Sequence, residues 1–474
     1  MRKKSEAIEK KSLLSQLRDF GFGPVIGVII SMLTVPVTTR ILSPEEYGKA
    51  SLFVLFESIF LIVGTLGLDQ GYVRFYNQRQ IDRQSLFQNA LFLPLCFSFL
   101  LILICVCFFK EISLFLFGTI EIGLMISFCF FIPILILNRF FLLQIRMDLR
   151  GKLYSFLNVL SQILNFVILI VFLFFYQKTF RSIVYSTIIG LFVSTFIIFL
   201  FCDKSFLREK FSFSKNIQSD LLRFSLPLVP ATILSWLLNS FDKIGLRTWS
   251  DFTELGLYSA AFKIVALLNV VQRIFSTAWV PIAYKWHEEN IDNQKFEDVG
   301  TVLLAVMVIL FSLVIVFRDL IMLFLGTEYR GTSHIFVFLL FVPVMYTISE
   351  VTSLGINFSK KTTFQLIVVV ISTLFNILGN YLLIPKFGAQ GAAISTCISY
   401  ILFFWGRTLF SRKVWFKFKL VKYIINNVFI ILFAINMILF NNRIIEIIMF
   451  LFVLFFNGLL CLNIYRQYVV PSSL

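Results

Sequence analysis

Long apolar runs separated by short polar turns recur from one end of the chain to the other. "FLPLCFSFLLILICVCFF" (Phe92–Phe109) and "VLSQILNFVILIVFLFFY" (Val159–Tyr176) are two of them. A helix rising 1.5 Å per residue needs about 20 apolar residues to cross some 30 Å of hydrocarbon. Strands of an outer-membrane barrel would instead alternate in polarity over short segments. The pattern predicts fourteen helical spans, near 20–41, 50–69, 86–109, 122–142, 153–176, 183–201, 222–244, 256–283, 299–324, 335–358, 362–384, 391–410, 421–440 and 444–465. The expected fold class is an all-α polytopic membrane protein.

Composition strengthens this reading. The chain is 58% hydrophobic and 14% charged, with a mean hydropathy of +0.89, whereas soluble domains are about half apolar and one quarter charged. The net charge of +16 would suggest nucleic acid in a soluble protein. Here it reads as topology, because basic residues collect in cytoplasmic loops. With the amino terminus inside, alternation places 29 Lys and Arg on the inner side and 11 on the outer. Both termini are therefore expected in the cytoplasm. Six of the seven cysteines lie within apolar runs and Cys202 ends one, so no disulfide framework is expected. The polar first 18 residues are followed by no cleavage pattern, and the first span is expected to serve as its own insertion signal.

Two turns share a grammar. "TRILSPEEYGKASL" (Thr39–Leu52) and "DFTELGLYSA" (Asp251–Ala260) both start the second helix of a hairpin. Ser43-x-x-Glu46 and Asp251-x-x-Glu254 read as capping boxes, with Pro44 at a first helical position whose amide needs no partner. Glu46, Gly48, Ser51 and Tyr76 then align with Glu254, Gly256, Ser259 and Tyr284. A second echo pairs Asn158, Ser161, Gln162 and Asn165 of the fifth span with Ser372, Thr373, Asn376 and Asn380 of the eleventh. These repeats predict two parallel six-span lobes, 1–205 and 206–415, and an additional helix pair at 416–474.

Charge at membrane depth costs roughly 2.5–3.5 kcal/mol on insertion scales and needs a reason. Glu57 and Lys263 occupy equivalent places in the two halves; they are either ion-pair partners or cavity-facing groups. Pro227 and Pro230 predict a bend in the seventh span. Ser235, Asn239, Asp242 and Lys243 follow on one face, and Asn269, Gln272, Arg273, Ser276 and Thr277 form a matching face on the eighth. Ser31, Thr34 and Thr38 lead to Arg40 on the first. Together these stripes suggest the lining of a water-filled cavity. Glu350 either binds H⁺ or Na⁺ or pairs with a basic residue. Arg139, Arg146 and Arg150, with Arg74 and Lys360, form a basic rim that either anchors lipid or captures a phosphate-bearing head group.

Several chemistries are set aside. The sequence holds no P-loop, no H-E-x-x-H, no G-x-S-x-G and no Cys-x-x-Cys pair, and His287 and His334 lie in loops on opposite sides. No outer loop is long enough for a glycan polymerase. No catalytic residue, cofactor or metal is expected, and the chain reads as a non-enzyme.

"LSPEEYGKASL", "LGLDQGYVRFYN" (Leu66–Asn77) and "PKFGAQGAAISTCIS" (Pro385–Ser399) carry a family resemblance. The chain resembles the Wzx-like polysaccharide flippases of the multidrug/oligosaccharidyl-lipid/polysaccharide exporter superfamily. The resemblance implies a MATE-like fold and movement of an undecaprenyl-pyrophosphate-linked oligosaccharide to the outer leaflet of a bacterial plasma membrane. It implies alternating access of a cationic cavity, driven by an ion gradient. Carried over by position, Arg40, Lys243, Arg247, Lys263 and Arg273 would supply cavity charge, with Asn239, Asn269, Arg74, Arg139 and Arg146 as further substrate-binding residues. Glu57, Asp242 and Glu350 would couple to the ion. Expected partners are the lipid-linked oligosaccharide, membrane lipids, H⁺ or Na⁺, and glycan-assembly proteins such as a polymerase. The alternatives are a drug/cation antiporter of the same superfamily, a lipid II flippase, and a non-transporting scaffold for glycan assembly. An acidic cavity would mark the antiporter; the scaffold needs no intramembrane charge.

Overall fold

The computed structural model describes residues 23, 26–27, 29–78, 82–204, 213–361 and 363–469, and every regular element among them is helical. The basic amino-terminal segment and the start of the first predicted span lie outside the described residues. The chain divides into two compact units, Met1–Trp236 and Leu237–Leu474.

The first unit holds α1 (Ile29–Ile41), α2 (Pro44–Thr65), α3 (Leu68–Phe75), α4 (Arg83–Cys107), α5 (Phe109–Phe117), α6 (Ile122–Met147), α7 (Gly151–Phe175), α8 (Phe180–Phe201) and α9 (Lys215–Ser225). Its core is built from side chains such as Leu68, Tyr72, Phe87, Phe140 and Leu221. The long helices turn Phe99, Phe130 and Phe175 outward, which is stable where lipid replaces water. α10 (Leu228–Trp249) contains the boundary between the units. Pro227 sits in the break between α9 and α10, where the sequence placed a bend.

The second unit continues with α11 (Phe252–Val265), α12 (Leu268–Glu288), α13 (Asn293–Val316), α14 (Ser333–Leu339), α15 (Phe341–Thr352), α16 (Leu354–Phe358), α17 (Thr363–Val414), α18 (Val421–Leu439) and α19 (Arg443–Val469). α11 and α12 are bent by 41° at a break that no proline or glycine marks. α17 runs for 52 residues, about 78 Å at helical rise, but breaks at Gly388, whose φ is 51° and ψ is −131°. A Cβ there would also lie 2.5 Å from the Glu254 carboxylate, so only glycine fits. The carboxyl-terminal helix is tied on by charge. Arg318, 3% exposed, pairs with fully buried Glu446, and Arg443 joins Glu446 to Asp319.

Among the described residues, eleven helices are long and apolar enough to cross a membrane, or twelve if the bent pair counts as one span. The multi-span helical fold is established; the number fourteen is not.

The two turns with shared grammar fold alike, with one correction. Ser43 and Asp251 do cap their helices, accepting from the amides of Glu46 at 3.4 Å and Glu254 at 2.8 Å. The glutamates do not fold back to complete a box. Glu46 instead accepts from the backbone amide of Phe180 at 2.7 Å, and Glu254 from that of Ala389 at 2.7 Å. Each carboxylate thus satisfies an orphan amide where the sixth helix of its half begins, and a partly positive helix end favours the anion. The repeat is a tertiary device built twice.

Candidate functional site

α10 carries Asp242 into the second unit's interior, where it is 1% exposed. A carboxylate there needs partners for all its lone pairs. One oxygen accepts from Tyr258 at 2.6 Å and from Thr396 at 2.8 Å. The other accepts from the side-chain amides of Asn376 at 3.0 Å and Asn380 at 2.7 Å. Donors therefore come from α11 and from both halves of α17. The polar stripe on the eleventh span has a purpose: Asn376 and Asn380, one helical turn apart, present both amides to a single oxygen. Asn380 also donates to Asn376 at 3.1 Å, and Thr396 receives a longer bond from Asn376 at 3.3 Å. One turn before Asp242, Asn239 accepts from Tyr400 at 2.8 Å.

Among the described residues the first unit holds no such cluster. By the 208-residue offset of the turns, Thr34 stands where Asp242 would, and its hydroxyl bonds back to Ile30 at 2.9 Å. Asn158 and Ser161 bond likewise to their own helix. The two units share a frame but not this site.

The second unit also holds Glu350. Arg407 lies 3.6 Å from it and donates to Ser349 at 2.6 Å, while Ser276 on α12 donates to Glu350 at 3.2 Å. Arg407 is 9% exposed, and its guanidinium lies over the rings of Phe403 and Tyr346, 5.1 and 5.6 Å from their centroids. Of the alternatives left by the sequence, Glu350 has the basic partner. Sequence reasoning missed Arg407 because it falls at the end of an apolar run and reads as a loop charge. The signal was there: Thr396, Tyr400, Phe403 and Arg407 recur at helical spacing.

The cations are less committed. Lys243 lies over the Phe262 ring at 6.0 Å and within electrostatic reach of Asp242 and Lys263. Among the described residues, no carboxylate is at salt-bridge distance from Lys243 or Arg273. Arg273 and Lys263 are exposed, and Asn269 is half-buried. Arg247 stacks on Phe252 at 4.3 Å. An open-sided apolar cavity of about 640 Å³ lies against α12 and α13, lined by Val271, Phe275, Val302, Val306 and Ile464, with Lys295 and Asp298 also in its wall.

In the first unit Arg139 is spent on Asp69, at 2.8 and 3.2 Å. Arg74, Arg146 and Arg40 are exposed, and Arg150 donates to the carbonyl of Phe201 at 2.9 Å. Glu57 is half-buried, with no ion pair or hydrogen bond among the described residues. No group of three or more His, Cys, Asp or Glu able to hold a metal occurs among them.

Residues 21–287 match the family model described as polysaccharide biosynthesis protein. The chain is 23% identical over 333 residues to the Lsg locus putative protein 1 of Haemophilus influenzae, covering 67% of this chain and 78% of that one. It is 22% identical over 191 residues to a probable low-salt glycan biosynthesis flippase of Haloferax volcanii, covering 39% of this chain and 40% of the relative's length. Among solved structures it resembles the lipid II flippase MurJ in an inward closed conformation, with a TM-score of 0.71 at 17% identity over 95% of this chain and 99% of that one. An inward-facing multidrug resistance MATE family transporter of the MOP superfamily gives 0.58 at 16% identity, over 84% and 94%.

Proposed function

The chain belongs to the polysaccharide biosynthesis protein family, and from that membership we propose that it is a flippase for lipid-linked glycan precursors. The finer reading is an undecaprenyl-pyrophosphate-linked oligosaccharide carried from the cytoplasmic to the outer leaflet of a bacterial inner membrane. The observation that favours this cargo over an organic cation is the disposition of intramembrane charge in the second unit. Asp242 is saturated by four neutral donors and Glu350 is held by Arg407, whereas Lys243 and Arg273 face no carboxylate at pairing distance among the described residues. What remains available there is positive, which suits a pyrophosphate and repels a cationic drug. The apolar cavity beside α12 and α13 has the chemistry of a lipid chain.

Alternating access of this cationic path is the proposed mechanism, with Asp242 as the coupling group. A carboxylate ringed by two hydroxyls and two amides can take a proton, or Na⁺ once the amides turn to present oxygen. Glu350 is the less suitable coupling group because its charge is already balanced. A glycan polymerase is a natural neighbour, since a flipped precursor needs a consumer.

The test is the sidedness of lipid-linked glycan in cells lacking the protein, read with a glycan-modifying enzyme confined to the outer side. Accumulation on the inner leaflet, rescued by the wild type but not by Arg273→Ala or Lys263→Ala at equal protein level, supports the reading. Normal sidedness with new sensitivity to cationic drugs would move the chain to the antiporter branch.

A further inference from the structure

The segment joining α17 to α18, "RKVWFKFKLVK" (Arg412–Lys422), carries five Lys and Arg and three aromatic residues with no acidic one. Residues 416–420 leave the helix and have no regular structure. Along them the environment alternates: Phe416 is half-buried, Lys417 exposed, Phe418 buried, Lys419 exposed. The inward rings join an aromatic floor. Trp415 packs on Phe296 at 5.1 Å and on Phe358 at 5.2 Å, and Phe358 stacks on His287 at 4.0 Å.

The backbone of this segment is pinned. Arg412 donates to the carbonyl of Phe418 at 3.1 Å, and the amide of Lys419 reaches Glu297 at 3.4 Å. Lys422 is used internally, bonding Glu297 at 2.8 Å and Thr301 at 2.5 Å. Lys413, Lys417 and Lys419 are exposed, as are Lys360 and Lys361 on the loop after Phe358. None of these five has an ion pair among the described residues. Among the described residues, none of the acids in the neighbouring turn between α12 and α13 or at the start of α13 is at salt-bridge distance from them. Glu297 holds Lys422, Glu289 faces Lys285 at 3.7 Å, Asp292 caps α13, Asp298 is bonded by Gln294 and Glu288 is exposed.

A merely topogenic charge cluster needs no fixed geometry. Here Lys417 and Lys419 alternate with the inward-packed Phe416 and Phe418 on a pinned backbone, so both lysines are held at the exposed surface. Aromatic residues mark the depth of the lipid head groups, and lysine clusters next to a span attract anionic lipid. We propose that Lys413, Lys417 and Lys419, backed by Lys360 and Lys361, form a binding site for the head group of an anionic phospholipid on the face that the basic excess assigns to the cytoplasm. The partner is a bulk membrane lipid, separate from the cargo, and the proposal stands whatever that cargo is.

The test is native mass spectrometry of the full-length protein titrated with phosphatidylglycerol and, in parallel, phosphatidylcholine. Each lysine should contribute about fivefold to retention of the anionic lipid. The triple variant Lys413→Gln, Lys417→Gln, Lys419→Gln should therefore hold it roughly a hundredfold more weakly, with phosphatidylcholine unaffected and thermal unfolding unchanged. Undiminished retention in that variant overturns the proposal. So does an equal loss in the control Lys152→Gln, Lys204→Gln, Lys215→Gln, which removes the same charge elsewhere. Displacement of phosphatidylglycerol by a polyprenyl pyrophosphate at matched concentration would assign these lysines to cargo and also overturn it.

Discussion

Replacing Asp242 separates its structural load from its proposed work. Asp242→Ala strands four donors, from Tyr258, Thr396, Asn376 and Asn380. Hydrogen bonds inside membrane bundles are worth about 0.6 kcal/mol each, so four give about 2.4 kcal/mol as a floor. Bonds to an ionised group reach about 1.5–3 kcal/mol each, so the loss can be several times larger. Asp242→Asn keeps one carbonyl for the amides of Asn376 and Asn380. The two hydroxyls can rotate to accept from its new amide, so most of that loss is spared. The Asn variant cannot exchange a proton and carries no charge for Na⁺. Unfolding of purified protein in detergent should therefore rank wild type above Asn, and Asn well above Ala. Flipping of a labelled lipid-linked glycan in vesicles should be lost, or lose its dependence on the ion gradient, in Asn as fully as in Ala. Wild-type ion dependence in the Asn variant would refute the coupling role. An Ala variant as stable as the wild type would refute the packing argument beneath it.

Three further outcomes follow. Glu46→Ala and Glu254→Ala each orphan a helix-start amide and should each cost about 0.5–2 kcal/mol, like a lost cap; unfolding at wild-type temperature in both would show the carboxylates to be idle. Glu350→Gln or Arg407→Gln leaves a buried partner uncompensated and should cost about 3–5 kcal/mol, whereas the double variant should recover part of it; a double variant worse than the sum of the two refutes a buried pair. Hydrogen bonds from Arg181, at 2.6 and 3.1 Å, hold the carboxyl of Glu121 below its ordinary range at the loop end before α6. A depressed carboxyl stabilises the fold above its unfolded value of 4.5 and loses that contribution as pH falls through the folded one. Glu121→Gln should thus lower stability at neutral pH but not in acid, as melts across that window can check.

The sequence by itself determined the solvent and the grammar of this protein. Apolar runs of span length leave helices in lipid as the available fold, because backbone amides in hydrocarbon must bond within their own segment. Ser43 and Asp251 announced their helices because capping is decided by residues three apart. Pro227 announced its break because it lacks an amide. Asn376 and Asn380 could be placed on one face, since helical spacing is a local property. What they face could not be read, because Asp242 lies more than 130 positions away and no periodicity links them. The same distance hid the second half of the capping motif: Glu46 and Glu254 prefer a remote helix start to their own cap, a choice made only once the sixth helix is in place. Arg407 looked like a loop charge until packing on Phe403 and Tyr346 buried it beside Glu350. The break between α11 and α12 has no proline or glycine to signal it. Local stereochemistry fixed the elements, and long-range electrostatics in a low-dielectric interior decided which polar groups became partners and which stayed available.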